Sequence, residues 1–300
     1  GDTGAALKIL RGTYIFTEGT DPATKLLFEE AAHTFSAMST EEIANYVTTD
    51  DFQYYWQRAN ERISSSYSGL HMGHYKAASV DNELSALHAM KLTLAAKAGL
   101  PLERWGKGVT VLLEKICGNN YVHKLRAICL FEADFNRWSK LVFARRMMAT
   151  AAEKDLIPKE HFAQKGTSAG NGIMAKTFFC DLSKVMHWPA GLGGCGFGDC
   201  YDRAAHPVAS LALQSWGVTL ESIRVLLIAL QTMQFCLRTG FGESKQFYGG
   251  KPHDPTFGFG QGNGAAPAGF SSLSALVVNA YKRMGNGAKL TLAYTCCMFL

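Results

Sequence analysis

The sequence has no apolar run long enough to cross a bilayer. Its longest, Val225 to Leu230 and Leu273 to Val278, fall far short of the roughly 20 residues a membrane helix needs. A soluble chain is expected, with no membrane contact. No secretory leader pattern opens it, and its eight cysteines, at 117, 129, 180, 195, 200, 236, 296 and 297, form no regular disulfide framework. They read as reduced, buried thiols of an intracellular protein, in the nucleus or the cytoplasm. Neither C-x2-C nor C-x2-H spacing occurs among Cys195, Cys200, Cys296 and Cys297, which argues against a zinc site there. His71-x-x-His74 has no second pair at metal-site spacing, so packing or hydrogen bonding is expected of it. There is no internal repeat and no nuclear-localisation run. No methionine precedes Gly1, which suggests a processed or excerpted chain.

What is present is enough to fold. Three hundred residues at 47% apolar composition can bury one or two cores. The net charge of +5 is modest but unevenly placed. Residues 1 to 50 carry three basic and eight acidic side chains, whereas residues 51 to 150 carry fourteen basic and eight acidic ones. The basic surplus therefore lies in the middle of the chain, where it can face a polyanion or form an ordinary solvated surface.

Local patterns predict helices in front and short strands alternating with helices behind, an α+β arrangement. Asp21 to Met38 is periodic; Ser39-Thr40-Glu41-Glu42 reads as a capping box opening a short helix toward Val47. Thr48-Thr49-Asp50-Asp51 opens another helix, with Phe52, Tyr55, Trp56 and Ala59 on one face. Ser64 to Gly73 reads as a loop, and Asn82 to Gly99 as a helix ended by Gly99-Leu100-Pro101. Val109 to Ile116 suits a strand or a helix, and Lys124 to Leu130 a strand. Long helices are expected over Phe135 to Ala152 and Asn171 to Met186. Helices are also expected over Pro207 to Ser215 and Thr219 to Cys236, the second turning to strand near its end. Gly240 to Gly269 is dense in glycine and must be turns and hairpin; Ser271 to Arg283 returns to helix, with Ala275, Val278 and Leu276 as the residues to be buried. Leu290 to Leu300 has strand character and stops without a closing turn, as though the chain ended inside its fold.

Three constellations can carry chemistry. Asp199-Cys200-Tyr201-Asp202-Arg203 holds two carboxylates three residues apart, which suits a hard cation such as Mg2+, although Asp202 can equally cap the next helix. In Gly258-Phe-Gly-Gln-Gly-Asn-Gly-Ala-Ala-Pro267 the glycines permit close backbone approach, and Gln261 offers an amide to a base or a backbone; a merely flexible loop is the bland alternative. Arg126, with Lys115 upstream and Lys140 downstream, can grip a triphosphate or a template backbone, or be three surface cations.

Taken in order, these segments resemble the reverse transcriptases of non-long-terminal-repeat retroelements of eukaryotes, over about residues 64 to 283. Ser68-Gly-Leu-His-Met-Gly-His-Tyr-Lys76 looks like the early glycine-histidine-tyrosine-lysine segment of that family, and Trp105 with Leu112 to Lys115 like its tryptophan and lysine at the base of the fingers. Leu125-Arg-Ala-Ile-Cys-Leu130, with Asn136, Lys140 and Arg145 after it, is similar to the arginine-proline-isoleucine motif, with Ala127 in place of proline. Gln164-Lys165-Gly166 fills the place of the glutamine-aromatic-glycine motif. Cys195 to Arg203 resembles the first palm motif, and Phe259 to Pro267 matches the second.

The resemblance implies a right-hand polymerase architecture: a helical N-terminal extension at 1–63, a fingers-like region at 64–190 and a partial palm at 191–300. It implies Arg126 near an incoming deoxynucleoside triphosphate, Tyr201 as the aromatic that excludes a ribose 2′-hydroxyl, and Gln261-Gly262 supporting template and nucleotide. RNA template and DNA primer would be the partners and Mg2+ the cofactor, for template-directed DNA synthesis with release of pyrophosphate. Two departures bear on activity. The first metal-binding aspartate falls on Gly196, and no Asp-Asp pair occurs after Asp51 to serve as the third palm motif. Asp199 and Asp202 are the carboxylates left to act as catalytic groups, with Asp199 the substitute metal ligand. The chain is expected not to polymerise; a degenerate, non-catalytic nucleic-acid-binding module is the other reading.

Overall fold

The computed structural model describes residues 3–299 except 39–41, 64–65, 120, 163, 165, 193–199, 252–255, 286 and 293–294. The first helices are α1 (Thr3–Leu10) and α2 (Pro22–Ala37). The Asp21 carboxylate accepts the Thr24 N–H at 3.0 Å, and Pro22 occupies the first helical turn, where a missing N–H is harmless. Next come α3 (Thr49–Gln57), α4 (Met72–Ala78) and α5 (Asn82–Ala98). The helix start expected at Thr48 is there, closed by a capping box in which the Asp51 N–H donates to the Thr48 hydroxyl at 3.0 Å; the capping box expected at Ser39 falls on residues outside those described. α5 ends at Gly99, whose φ of +68° is the left-handed stop that glycine allows.

Two expectations for this third of the chain are corrected. Residues 42–48 are not helical: Ile43 is buried in a parallel bridge with Val218, its N–H donating to the Gly217 carbonyl at 2.8 Å. The Arg146 guanidinium takes the Ala44 and Tyr46 carbonyls at 2.8 and 2.6 Å, acceptors a helix would have used internally, so tertiary bonding overrides the local signal. The predicted loop also ends early, because Met72 and Gly73 already belong to α4.

After a 3-10 turn at Glu103–Gly106, strand β1 (Lys107–Glu114) pairs antiparallel with β2 (Leu125–Leu130), Thr110 opposite Cys129 and Glu114 opposite Leu125. The chain then runs as one helical rod: α6 (Ala133–Ser139), a wider π-helical stretch over Lys140–Met147, and α7 (Met148–Glu153). α8 (Ala169–Val185) stands apart, and α9 (His206–Ser215) and α10 (Leu220–Thr232) follow. β3 (Gln234–Thr239) pairs parallel with β1 and antiparallel with β4 (Gly242–Glu243), giving a four-stranded sheet of order β2-β1-β3-β4. α11 (Ala266–Arg283) comes next, then a separate hairpin of β5 (Ala288–Leu292) and β6 (Thr295–Phe299). The fold is α+β. Ala275 and Leu276 are buried as expected, while Val278 is only half-buried.

The main core gathers Trp56, Trp105, Trp138, Phe135 and Phe143 with the apolar face of α10. Each such ring contributes roughly 1.5–3 kcal/mol through water exclusion. A smaller core of Ala6, Leu10, Ala31, Leu211, Ala212 and Leu276 packs α1 and α2 onto α9 and α11. The cysteines are less buried than expected: of the five described, Cys236 is buried, Cys129, Cys180 and Cys200 are half-buried and Cys117 is exposed. Cys236 lies inside β3 and Cys129 packs against the main core, whereas Cys117 and Cys200 stand in turns.

Two carboxylates at the start of α6 lie inside the protein, Glu132 at 0% and Asp134 at 1% exposure. Arg104 bridges them, its Nη1 donating to Glu132 Oε2 at 3.1 Å and its Nη2 to Asp134 Oδ2. The Ser66 and Ser68 hydroxyls donate to Glu132 at 2.7 and 2.9 Å, and the Trp105 indole donates to Asp134 Oδ1 at 2.8 Å. Buried charge is tolerated only when paired and hydrogen-bonded in this way. The result is a fixed start for α6, and hence fixed positions for Asn136 and Ser139 beyond it.

Candidate functional site

The glycine-dense segment 257–265 is a wedged loop, held on three sides. On one side lies the Tyr201-Asp202 turn: the Phe259 N–H donates to the Tyr201 carbonyl at 2.6 Å, and the Gln261 N–H to Asp202 Oδ1 at 3.0 Å. On the second lies β2, whose Cys129 N–H donates to the Gln261 carbonyl at 2.7 Å. On the third lies α6: Asn136 Nδ2 donates to the Gly262 carbonyl at 3.1 Å, and the Gly264 N–H returns to Asn136 Oδ1.

Close approach explains two of the glycines. Gly258 has φ +73° and a Cβ there would enter the backbone of Tyr201 and Asp202; Gly262 has φ +117° and a Cβ would strike the Cys129 carbonyl. Inside the loop, buried Asn263 acts as a strut. Its Nδ2 donates to the Phe259 carbonyl at 3.0 Å, and its Oδ1 accepts from the Ser139 hydroxyl at 3.1 Å and the Ala265 N–H at 3.0 Å. The flexible-loop alternative does not describe this geometry.

A buried histidine supports the loop from behind. His206 Nε2 lies 2.7 Å from the Gly258 carbonyl and its Nδ1 lies 2.9 Å from Gln231 Nε2. The carbonyl only accepts and the amide nitrogen only donates, so the ring is the neutral tautomer carrying its proton on Nε2. Burial lowers its pKa first of all, with the Gly258 bond opposing. Burial likewise pushes the Cys129 thiol up to about 11, the Thr110 bond lowering it and the Asp202 carboxylate raising it. That thiol is not a poised nucleophile.

The site residues expected from sequence divide into groups. Tyr201, Asp202, Gln261 and Gly262 are in direct contact or adjacent, and the Lys140 side chain flanks Gly264. Tyr201 is half-buried with its ring edge-on to Phe270 at 5.9 Å. Gly262 is exposed, and no hydrogen bond among the described residues engages the Gln261 side-chain amide. Arg126 lies on β2, three residues from Cys129 or about 10 Å of strand. Lys115 follows the last residue of β1, five residues from the level of Cys129, and is the most remote. All three cations are exposed, and none has an ion-pair partner among the described residues. Asp199 and Gly196 lie outside the described residues.

Sequence reading placed Asn136 and Asn263 in motifs without a role of their own, and gave none to Ser139, His206 or Gln231. His206 and Gln231 carried a faint signal, polar side chains on otherwise apolar helices.

Among the described residues no group of three or more His, Cys, Asp or Glu side chains converges, and one oxygen of Asp202 is committed to the Gln261 N–H. No helix among the described residues is long and apolar enough to cross a membrane. No protein-family model matches the chain, and no curated protein matches it.

Proposed function

We propose that the chain is a reverse-transcriptase-like domain that docks an RNA template, its DNA primer and a deoxynucleoside triphosphate against the Gln261 loop, without joining them. The observation that carries this reading is the wedging of Gln261 between Asp202 and Cys129, on the strand that bears Arg126. Both backbone groups of Gln261 are used internally, so its side-chain amide is held on a rigid stalk for a base or sugar edge. Lys140 and Arg126 flank that point as exposed cations, suited to phosphates, whose neutralisation supplies most of the affinity in such complexes.

Joining nucleotides requires carboxylates that hold cations at the attacking and leaving oxygens. Gly196 stands where the resemblance places the first of them, and Asp202 has its oxygen turned to the loop backbone. A domain of this kind keeps the shape that recognises a primer–template and loses the charge placement on which the chemistry depends.

Fluorescence anisotropy with a labelled RNA–DNA primer–template at rising salt tests the reading. Binding whose log affinity falls linearly with log salt is expected, with Arg126→Ala and Lys140→Ala each lowering the slope by about one. Absent or salt-insensitive binding contradicts it. Primer extension that is abolished by Asp199→Asn overturns the non-catalytic part alone.

A further inference from the structure

Helix α5 buries Ala89, Leu92, Ala95 and Ala96 in the main core and leaves its opposite face bare. On that face Leu84, Leu87, Met90 and Leu94 stand 47%, 56%, 55% and 61% exposed. Leu84, Leu87, Lys91 and Leu94 follow one another at spacings of three, four and three residues, the repeat by which one helix presents a seam to another. Lys91 does not break the seam. Its Nζ turns inward, 3.8 Å from Asp134 Oδ2, and its methylene stem is left to the surface. Beside the seam runs a groove of about 390 Å3, walled by Leu87, Met90 and Leu94 and by Leu102 beyond the helix. The face therefore carries both a ridge and a trough, as a contact between two identical surfaces requires.

Charge decides what covers it. Glu83 and Lys97 lie along one edge of the face, seven residues before and seven after Met90, two helical turns or about 10 Å each way. Both are exposed, and neither has an ion-pair partner among the described residues. A second α5 laid antiparallel about a two-fold axis beside Met90 brings each Glu83 to the Lys97 of the other copy. The same register sets Met90 against Met90, Leu84 against Leu94 and Leu87 against the stem of Lys91, and it lets the leucines of each copy enter the groove of the other. A parallel copy would oppose Glu83 to Glu83 and Lys97 to Lys97, so the charges select one orientation.

We propose that two copies of this chain associate through an antiparallel α5–α5 contact. The apolar side chains of the face expose on the order of 400 Å2 per copy, and the flanking charged residues add to it, which places the contact at the small end of specific interfaces. The dimer is accordingly weak, with a Kd on the order of 10 μM.

Sedimentation velocity of the full chain over a wide range of concentration, up to about 300 μM, reads the association. A dimer that grows with concentration is expected. Leu87→Gln and Leu94→Gln combined should weaken it at least about tenfold with the far-UV circular dichroism unchanged. Glu83→Lys and Lys97→Glu should each weaken it several-fold, and the two combined in one chain should return it close to the wild type, because the double reversal restores both ion pairs. A chain that stays monomeric throughout overturns the proposal and leaves the face to a different protein. A dimer indifferent to Leu87→Gln and Leu94→Gln also overturns it, because the contact then lies elsewhere. A double reversal no tighter than the single ones overturns the antiparallel register.

Discussion

The loop at 257–265 and helix α8 invert the usual association of regular structure with rigidity. The loop has no repeating backbone bonds and four glycines, yet its backbone is fastened to β2, to α6 and to the Tyr201-Asp202 turn. α8 has 17 residues of regular helix, yet only its Ser183 is buried, and Ile173 and Met174 stand 66% and 73% exposed. Embedding comes from side chains and backbone groups that find distant partners; a periodic hydrogen-bond ladder does not provide it. Glycine in the loop acts as a close-packing residue, at Gly258 and Gly262 with positive backbone angles that other residues avoid.

The sharpest way to break this comparison is Gly262→Ala. A side chain at φ +117° facing the Cys129 carbonyl should cost about 2–4 kcal/mol in urea denaturation and weaken primer–template binding with it. A change below about 0.5 kcal/mol would mean the wedge is not tight. Asn263→Ala removes a buried strut and strands the Ser139 hydroxyl and the Phe259 carbonyl, for an expected loss of about 2–3 kcal/mol by the same measurement.

His206 sharpens the comparison through pH. Its folded pKa is depressed, so its contribution is complete above the unfolded value of about 6.5 and is lost as pH falls from there toward the folded pKa. The Tm of the wild type should therefore drop between pH 7 and pH 5 more steeply than that of His206→Asn, with the other histidines common to both proteins. Parallel curves would remove His206 from the loop's support. At the small end, Met174→Gln on α8 should change stability by less than about 0.5 kcal/mol, and a larger loss would show that α8 is embedded after all.

Much of the local structure was legible. Asp21, Thr48 and Gly99 are helix punctuation whose chemistry acts within a few residues, and α2, α3 and α5 begin or end where those residues stand. The turn from α10 into β3 and the strand at β2 were also readable as patterns. What was not legible depended on partners far along the chain. Arg146 reaches back about a hundred residues to hold 44–46 extended, and Ser66 and Ser68 meet Glu132 across 66 and 64 residues. Within the candidate site, the contact of Gln261 with Asp202 spans 59 residues and nothing local announces it. The ordering of Tyr201, Asp202 and the Gln261 loop was suggested by motif resemblance, whereas Asn136, Asn263 and His206 as supports emerged only from packing.

Hydrogen exchange of the full chain, with and without an RNA–DNA primer–template, tests the central claim most directly. The account predicts that the amides of Phe259, Gln261 and Gly264 are already slow in the free protein and slow further on binding, together with residues 125–130 of β2. Rapid exchange of the loop in the free protein, or protection by the duplex that spares both the loop and β2, would contradict it.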